Sequence, residues 1–69
     1  MPFNYSKLNG KIVEVCGTQA RFSEVMRLSE RTISLKLNGK IEWKQSEIIS
    51  ACQILGISDG DIPEYFFAV

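Results

Sequence analysis

The chain has 69 residues, 45% of them hydrophobic, with eight basic and eight acidic side chains and no histidine. This length predicts a single domain over residues 1–69, burying only about 60% of its unfolded surface and therefore marginally stable. No apolar run approaches the roughly 20 residues that cross a membrane, and the N-terminus has no signal-peptide pattern, so a cytoplasmic protein is expected.

Met1-Pro2-Phe3 reads as a short extended lead. Asn4 or Ser6 can cap a first helix, on which Tyr5, Leu8, Ile12 and Val15 or Cys16 recur at three- and four-residue spacing. Gly10 inside it costs about 1 kcal/mol relative to alanine, or marks a close helix–helix contact. Gly17 ends this helix, and Thr18 restarts the chain as an N-cap.

Residues 18–40 form the organising stretch. Phe22, Val25 and Met26 follow Thr18 at i, i+3, i+4 and give one apolar helical face. Leu28 falls in a corner of three or four residues, and Ser29 is a second N-cap. Ile33 and Leu37 form the inner face of the next helix, which Asn38-Gly39 stops, with Gly39 placed for a left-handed C-cap. Helix, tight corner, helix is the helix-turn-helix outline.

After Gly39, Lys40-Ile41-Glu42-Trp43 has no helical stripe and reads as a loop, with Trp43 as a lid on the core. A further helix runs from about Gln45 to Leu55, presenting Ile48, Ala51, Cys52 and Leu55 on one side. Gly56 followed by Ile57 caps its C-terminus. Ser58 and Asp61 have the spacing of a capping box, and Pro63 is expected to limit the last helix to about one turn, alone or followed by another short turn. Tyr65, Phe66 and Phe67 either close the core or form a dimer seam. The fold class is therefore all-α, a compact arrangement of five helices with the helix-turn-helix as helices two and three.

Cys16 and Cys52 could form one staple, but both sit at apolar-periodic positions and read as free thiols in a reducing compartment. With no histidine and no closely spaced cysteine pair, no metal is expected. No base–nucleophile pair and no glycine-rich phosphate loop is visible, so the chain is not read as an enzyme, and no cofactor is assigned.

On the second helix of the motif, Leu35 lies about 200° from Ile33 at about 100° per residue. It therefore shares an outward stripe with Arg31, Ser34 and Asn38. Such a stripe suits the floor of a DNA major groove, where arginine bonds guanine and an aliphatic group touches a thymine methyl. The alternative is that Leu35 packs on a neighbouring helix or a partner. Charge adds a second hint. Residues 1–44 hold all eight bases and four acids, 8 − 4 = +4, and residues 45–69 hold four acids and no base, −4. A positive half carrying the motif is the footprint expected of a phosphate-backbone binder, with the acidic half facing away.

Gln19, Phe22, Ser23, the corner at Leu28-Ser29, Ile33 and the run Leu37-Asn38-Gly39-Lys40 resemble the lambda-repressor-like helix-turn-helix of phage Cro and CI repressors. The tail Glu64-Tyr65-Phe66-Phe67 resembles the end of short prophage Cro-type proteins. The resemblance implies a sequence-specific regulator that lays residues 29–38 in the major groove of a double-stranded operator. Glu30, Arg31, Ser34 and Leu35 would then face bases, and Gln19, Lys36, Asn38, Lys40 and Lys44 would face phosphates. A homodimer, formed if only on DNA, is the implied assembly, and no small-molecule ligand is expected. Two positions depart from the family pattern. Arg27 stands where it favours glycine, so the corner is expected to be built differently, and Glu30 stands where many relatives have glutamine. Glu30 can accept from cytosine or serve only as a first-turn acid. The alternative function is the same fold used as a protein-interaction module, an antitoxin or adaptor, with Leu35 and Phe67 as contacts.

Overall fold

The computed structural model describes residues 3–69; Met1 and Pro2, most of the expected extended lead, lie outside the described residues. Five α-helices follow one another: α1 (Ser6–Cys16), α2 (Gln19–Met26), α3 (Glu30–Leu37), α4 (Gln45–Leu55) and α5 (Ile62–Phe66). A 3₁₀ turn at Asp59–Asp61 leads into α5, and no strand occurs among the described residues. The all-α expectation is met, and the helix-turn-helix unit is formed by α2 and α3.

The starts of α1 to α4 are each set by a side chain close by in sequence. Asn4 Oδ1 accepts the Ser6 N–H at 2.9 Å, Thr18 Oγ1 that of Arg21 at 3.1 Å, and Ser29 Oγ that of Thr32 at 3.1 Å. Each satisfies one of the donors that a first turn leaves orphaned. At α4 the reach is backwards, Glu47 Oε1 accepting the Lys44 backbone N–H at 2.9 Å. The C-terminus of α4 closes at Gly56 (φ 69°), where the Ile57 N–H donates to Cys52 O and the Ile57 side chain is buried.

The core is one cluster. Leu8 and Ile12 of α1, Phe22 of α2, Ile33 of α3, Ala51, Cys52 and Leu55 of α4 and Phe66 of α5 meet with Tyr5 and Ile57. Full burial of such a side chain contributes about 1.5–3 kcal/mol, so the handful of large ones dominates the stability of this small domain.

Several expectations are corrected by packing. Val25, placed on the core face of α2, is 47% exposed, because an eight-residue helix against so small a core buries only Phe22 and Ser23 fully. Leu35 is half-buried, though it is not among the apolar side chains packed on the core. Of the pair Val15 and Cys16, Val15 is exposed and Cys16 packs on the core. Gly10 makes no close helix contact, since a Cβ there would meet open space. Pro63 lies in the first turn of α5 and helps start it, where a missing N–H costs nothing. The two thiols are free.

The corner is not rebuilt for want of a glycine, contrary to the expectation. Arg27 itself adopts the left-handed conformation (φ 60°, ψ 38°), the one non-glycine residue to do so among those described. The Arg27 and Leu28 N–H groups donate to Glu24 O and Ser23 O at 3.1 and 3.0 Å, closing the end of α2. A non-glycine residue in this region costs about 1–2 kcal/mol, which the two closing bonds and the packing of Leu28 and Met26 on the core offset.

Candidate functional site

Two surfaces compete for the role. The first is the outward side of α3. Glu30 and Arg31 are exposed at its start, Ser34 and Leu35 are half-buried, and Asn38 is exposed with its amide 3.5 Å from Ser34 Oγ. Gln19 is half-buried, its Nε2 donating to Asn9 Oδ1 at 2.9 Å. Gln19, Ser34 and Asn38 are brought together as lining of one open cleft of about 380 Å³ beside Asn4, Asn9 and Leu37. Lys40 and Lys44 are exposed on the loop after α3 and lie outside that cleft.

Lys36 is a clear correction. It is 2% exposed, and its ammonium contacts Glu47 Oε1 at 2.7 Å and Glu42 O at 2.9 Å. A cation enclosed in this way is unavailable to a phosphate. The helical wheel placed Lys36 one step from the core residues Ile33 and Leu37, and periodicity alone does not tell a buried ammonium from a solvated one. The Glu47 carboxyl is held below its usual range. Burial, the largest single influence, pushes it up, but hydrogen bonds from Lys36 and the Lys44 N–H, with the charges of both lysines, outweigh it.

The charge polarity read from the sequence is also reduced by folding. Lys7 pairs with Glu64 at 2.6 Å and Lys36 with Glu47, so two bases of the first 44 residues are matched by acids of the last 25. The excess of the basic half falls from +4 to 4 − 2 = +2. Among the described residues, Arg27, Arg31, Lys40 and Lys44 are the side-chain cations without an acidic partner within salt-bridge distance. Backbone neutralisation that drives DNA binding grows with the number of phosphates met, and four dispersed cations are a modest supply.

The second surface was not singled out in the sequence. Phe3, Tyr5, Ile41, Trp43, Ile48, Phe66 and Phe67 wall a groove of about 320 Å³. Its rings meet edge to face: Phe3 on Phe67 with centroids 5.7 Å apart, and Trp43 on Phe66 at 5.2 Å. Tyr5 stands 6.5 Å from Trp43, its phenol pushed up by burial and by the nearby Glu42 carboxylate. The Asn4 N–H donates to Ala68 O at 2.7 Å and joins the two ends of the described chain beside the groove. Phe66 is buried and belongs to the core, whereas Phe67 is 50% exposed and Phe3 and Ile41 are exposed with it. Trp43 Nε1–H is buried without an acceptor among the described residues. Exposed aromatics contiguous with a core are a common signature of a protein contact. A sequence signal was present in the i, i+2 alternations Phe3/Tyr5 and Ile41/Trp43 in two non-helical segments, but nothing local says that they meet.

The described residues form a small all-helical domain built on a tight helix corner and flanked by an aromatic groove. No curated protein matches it. The chain belongs to the family described as Protein of unknown function (DUF739), which matches residues 1–69. Among solved structures it is similar to the modulator of repression (MOR) of the temperate bacteriophage TP901-1 from Lactococcus lactis. The identity is 55% over 97% of this chain and 90% of that one, with a TM-score of 0.84. The likeness is to a phage regulatory protein, which supports that part of the sequence resemblance.

Proposed function

We propose that this chain is a phage regulatory protein that modulates repression by binding a repressor protein, with the aromatic groove as its contact face. The observation that carries the reading is the 55% identity, along nearly the whole chain, to a protein described as a modulator of repression. The geometry agrees with it. Phe3, Ile41 and Phe67 offer exposed apolar area beside half-buried Trp43 and buried Phe66, the arrangement from which interface hot spots are made. The amides lining the neighbouring cleft, which shares Phe3 and Tyr5 with the groove, supply the polar rim that such contacts need. The site of action is the host cytoplasm, where repression takes place.

The test is to titrate this chain into the repressor of phage TP901-1, with and without operator DNA. A stoichiometric protein complex is expected, and Phe67→Ala should weaken it by about 2 kcal/mol or more while leaving the fold intact. Retention on duplex DNA by the chain alone, falling steeply with salt, would overturn this reading.

That outcome would favour the second one, a Cro-type operator binder. Exposed Arg31 at the start of α3 and the helix corner speak for it. Glu30, Arg31, Ser34 and Leu35 would then read bases, and Gln19, Asn38, Lys40 and Lys44 would meet phosphates, with two copies on an inverted repeat. Arg31→Ala would relax preference at one base pair at a cost of about 1–3 kcal/mol.

A further inference from the structure

Lys36 is charged, almost fully enclosed and absorbed by neither surface. Its ammonium has three N–H donors. One meets Glu47 Oε1 in the first turn of α4 and another meets Glu42 O in the loop, while the nitrogen stands 5.8 Å above the Trp43 ring centre. The same Glu47 oxygen accepts the Lys44 N–H, so the whole passage from α3 to α4 is fastened around one nitrogen. Residues 41 and 43 of that passage are groove walls.

A buried ion pair is a poor way to gain stability, because desolvation of the two charges consumes most of their attraction, and apolar pairs of similar size often serve as well. What the pair supplies that an apolar pair would not is direction. Ammonium bonds to a carbonyl and a carboxylate fix where the loop runs, whereas an aliphatic contact leaves it free to slide. Trp43 has special need of this, since its own indole N–H finds no acceptor among the described residues.

We propose that Lys36 is the positioning residue of the aromatic groove, holding Ile41 and Trp43 in the arrangement that receives the partner. The inference rests on the reading of that groove as the contact face. Its test separates the two. Lys36→Met combined with Glu47→Gln removes both charges and keeps an acceptor for the Lys44 N–H, so the fold and its melting temperature are retained. Glu47→Gln alone leaves an enclosed ammonium without its counter-charge, but keeps the bond to Glu42 O. The chain has one tryptophan, so its indole N–H gives one NMR signal in the wild-type protein. In the double variant that signal should move or split, and affinity for the TP901-1 repressor should fall by about tenfold or more. In Glu47→Gln the melting temperature should fall, while the indole signal below the transition stays near its wild-type place. Stability and groove order thus move apart in the two variants. An unchanged indole signal and affinity in the double variant would overturn the proposal. So would indole changes that merely follow loss of stability in both. If the wild-type chain does not bind the repressor, the functional reading falls, and the indole comparison still decides whether Lys36 positions Trp43.

Discussion

The α2–α3 corner and the aromatic groove are two neighbouring regions made in opposite ways. In the corner almost every bond joins residues three to five apart: Thr18 to Arg21, Ser23 to Leu28, Ser29 to Thr32. In the groove the partners come from four separate places, Phe3 and Tyr5 before α1, Ile41 and Trp43 after α3, Ile48 of α4, and Phe66 and Phe67 at the end of α5. The corner costs little chain entropy per contact, and the groove exists only once the rest has folded. In a domain this small, the recognisable motif and an exposed aromatic surface need not coincide.

The largest way to break the corner is through its core anchor. Ile33→Ala should lower stability by about 2–5 kcal/mol in urea unfolding, because Ile33 is completely buried and α3 has no other fully buried apolar side chain. An effect below 1 kcal/mol, by the same scale, would mean that α3 is held mainly by its caps.

Acid should reach the link between the regions before it reaches the corner. The Glu47 carboxyl is held below its ordinary value, so its pairing stabilises the fold above the unfolded pKa, near 4.5. That contribution is lost as pH falls through the lower folded value. Glu47→Gln should flatten this acid limb of a stability–pH profile, whereas Glu14→Gln, on an exposed pair with Lys11, should leave it in place.

Smaller effects sharpen the contrast further. Removing a cap by Thr18→Ala should cost about 1 kcal/mol and leave the aromatic groove unaffected, as read by the Trp43 fluorescence of the folded protein. Gly10→Ala should add about 0.5–1 kcal/mol, since a methyl at this solvent-facing helical position meets nothing. A loss there would show that α1 has a neighbour at Gly10 in solution.

Much of the architecture was legible because it is local. The caps at Thr18 and Ser29, the span Gln45–Leu55, the stop at Gly39 and the Gly56-Ile57 closure all depend on residues within one or two turns, where spacing and side-chain chemistry are sufficient. Arg27 shows the limit of the same logic. Sequence identified the corner as strained, but whether it would change shape or bear the strain depended on how firmly Phe22 and Ile33 are seated on either side of it.

What only the tertiary structure decided is where charge and aromatic surface end up. Local spacing leaves Lys36 beside the core face without saying whether its ammonium is solvated, yet Glu47, eleven positions on, pairs with it and takes it away from phosphate. Lys7 and Glu64, at opposite ends of the chain, cancelled part of a polarity that composition had displayed. Phe66 and Phe67 are adjacent and chemically identical and both line the groove, yet one is buried in the core and the other is half exposed. Electrostatic pairing and burial depend on distance in space, and sequence spacing stops reporting that distance beyond a few helical turns. Sequence by itself determined the helices and their corner, and the folding of the two ends and the loop against one another decided which surface is left to meet a partner.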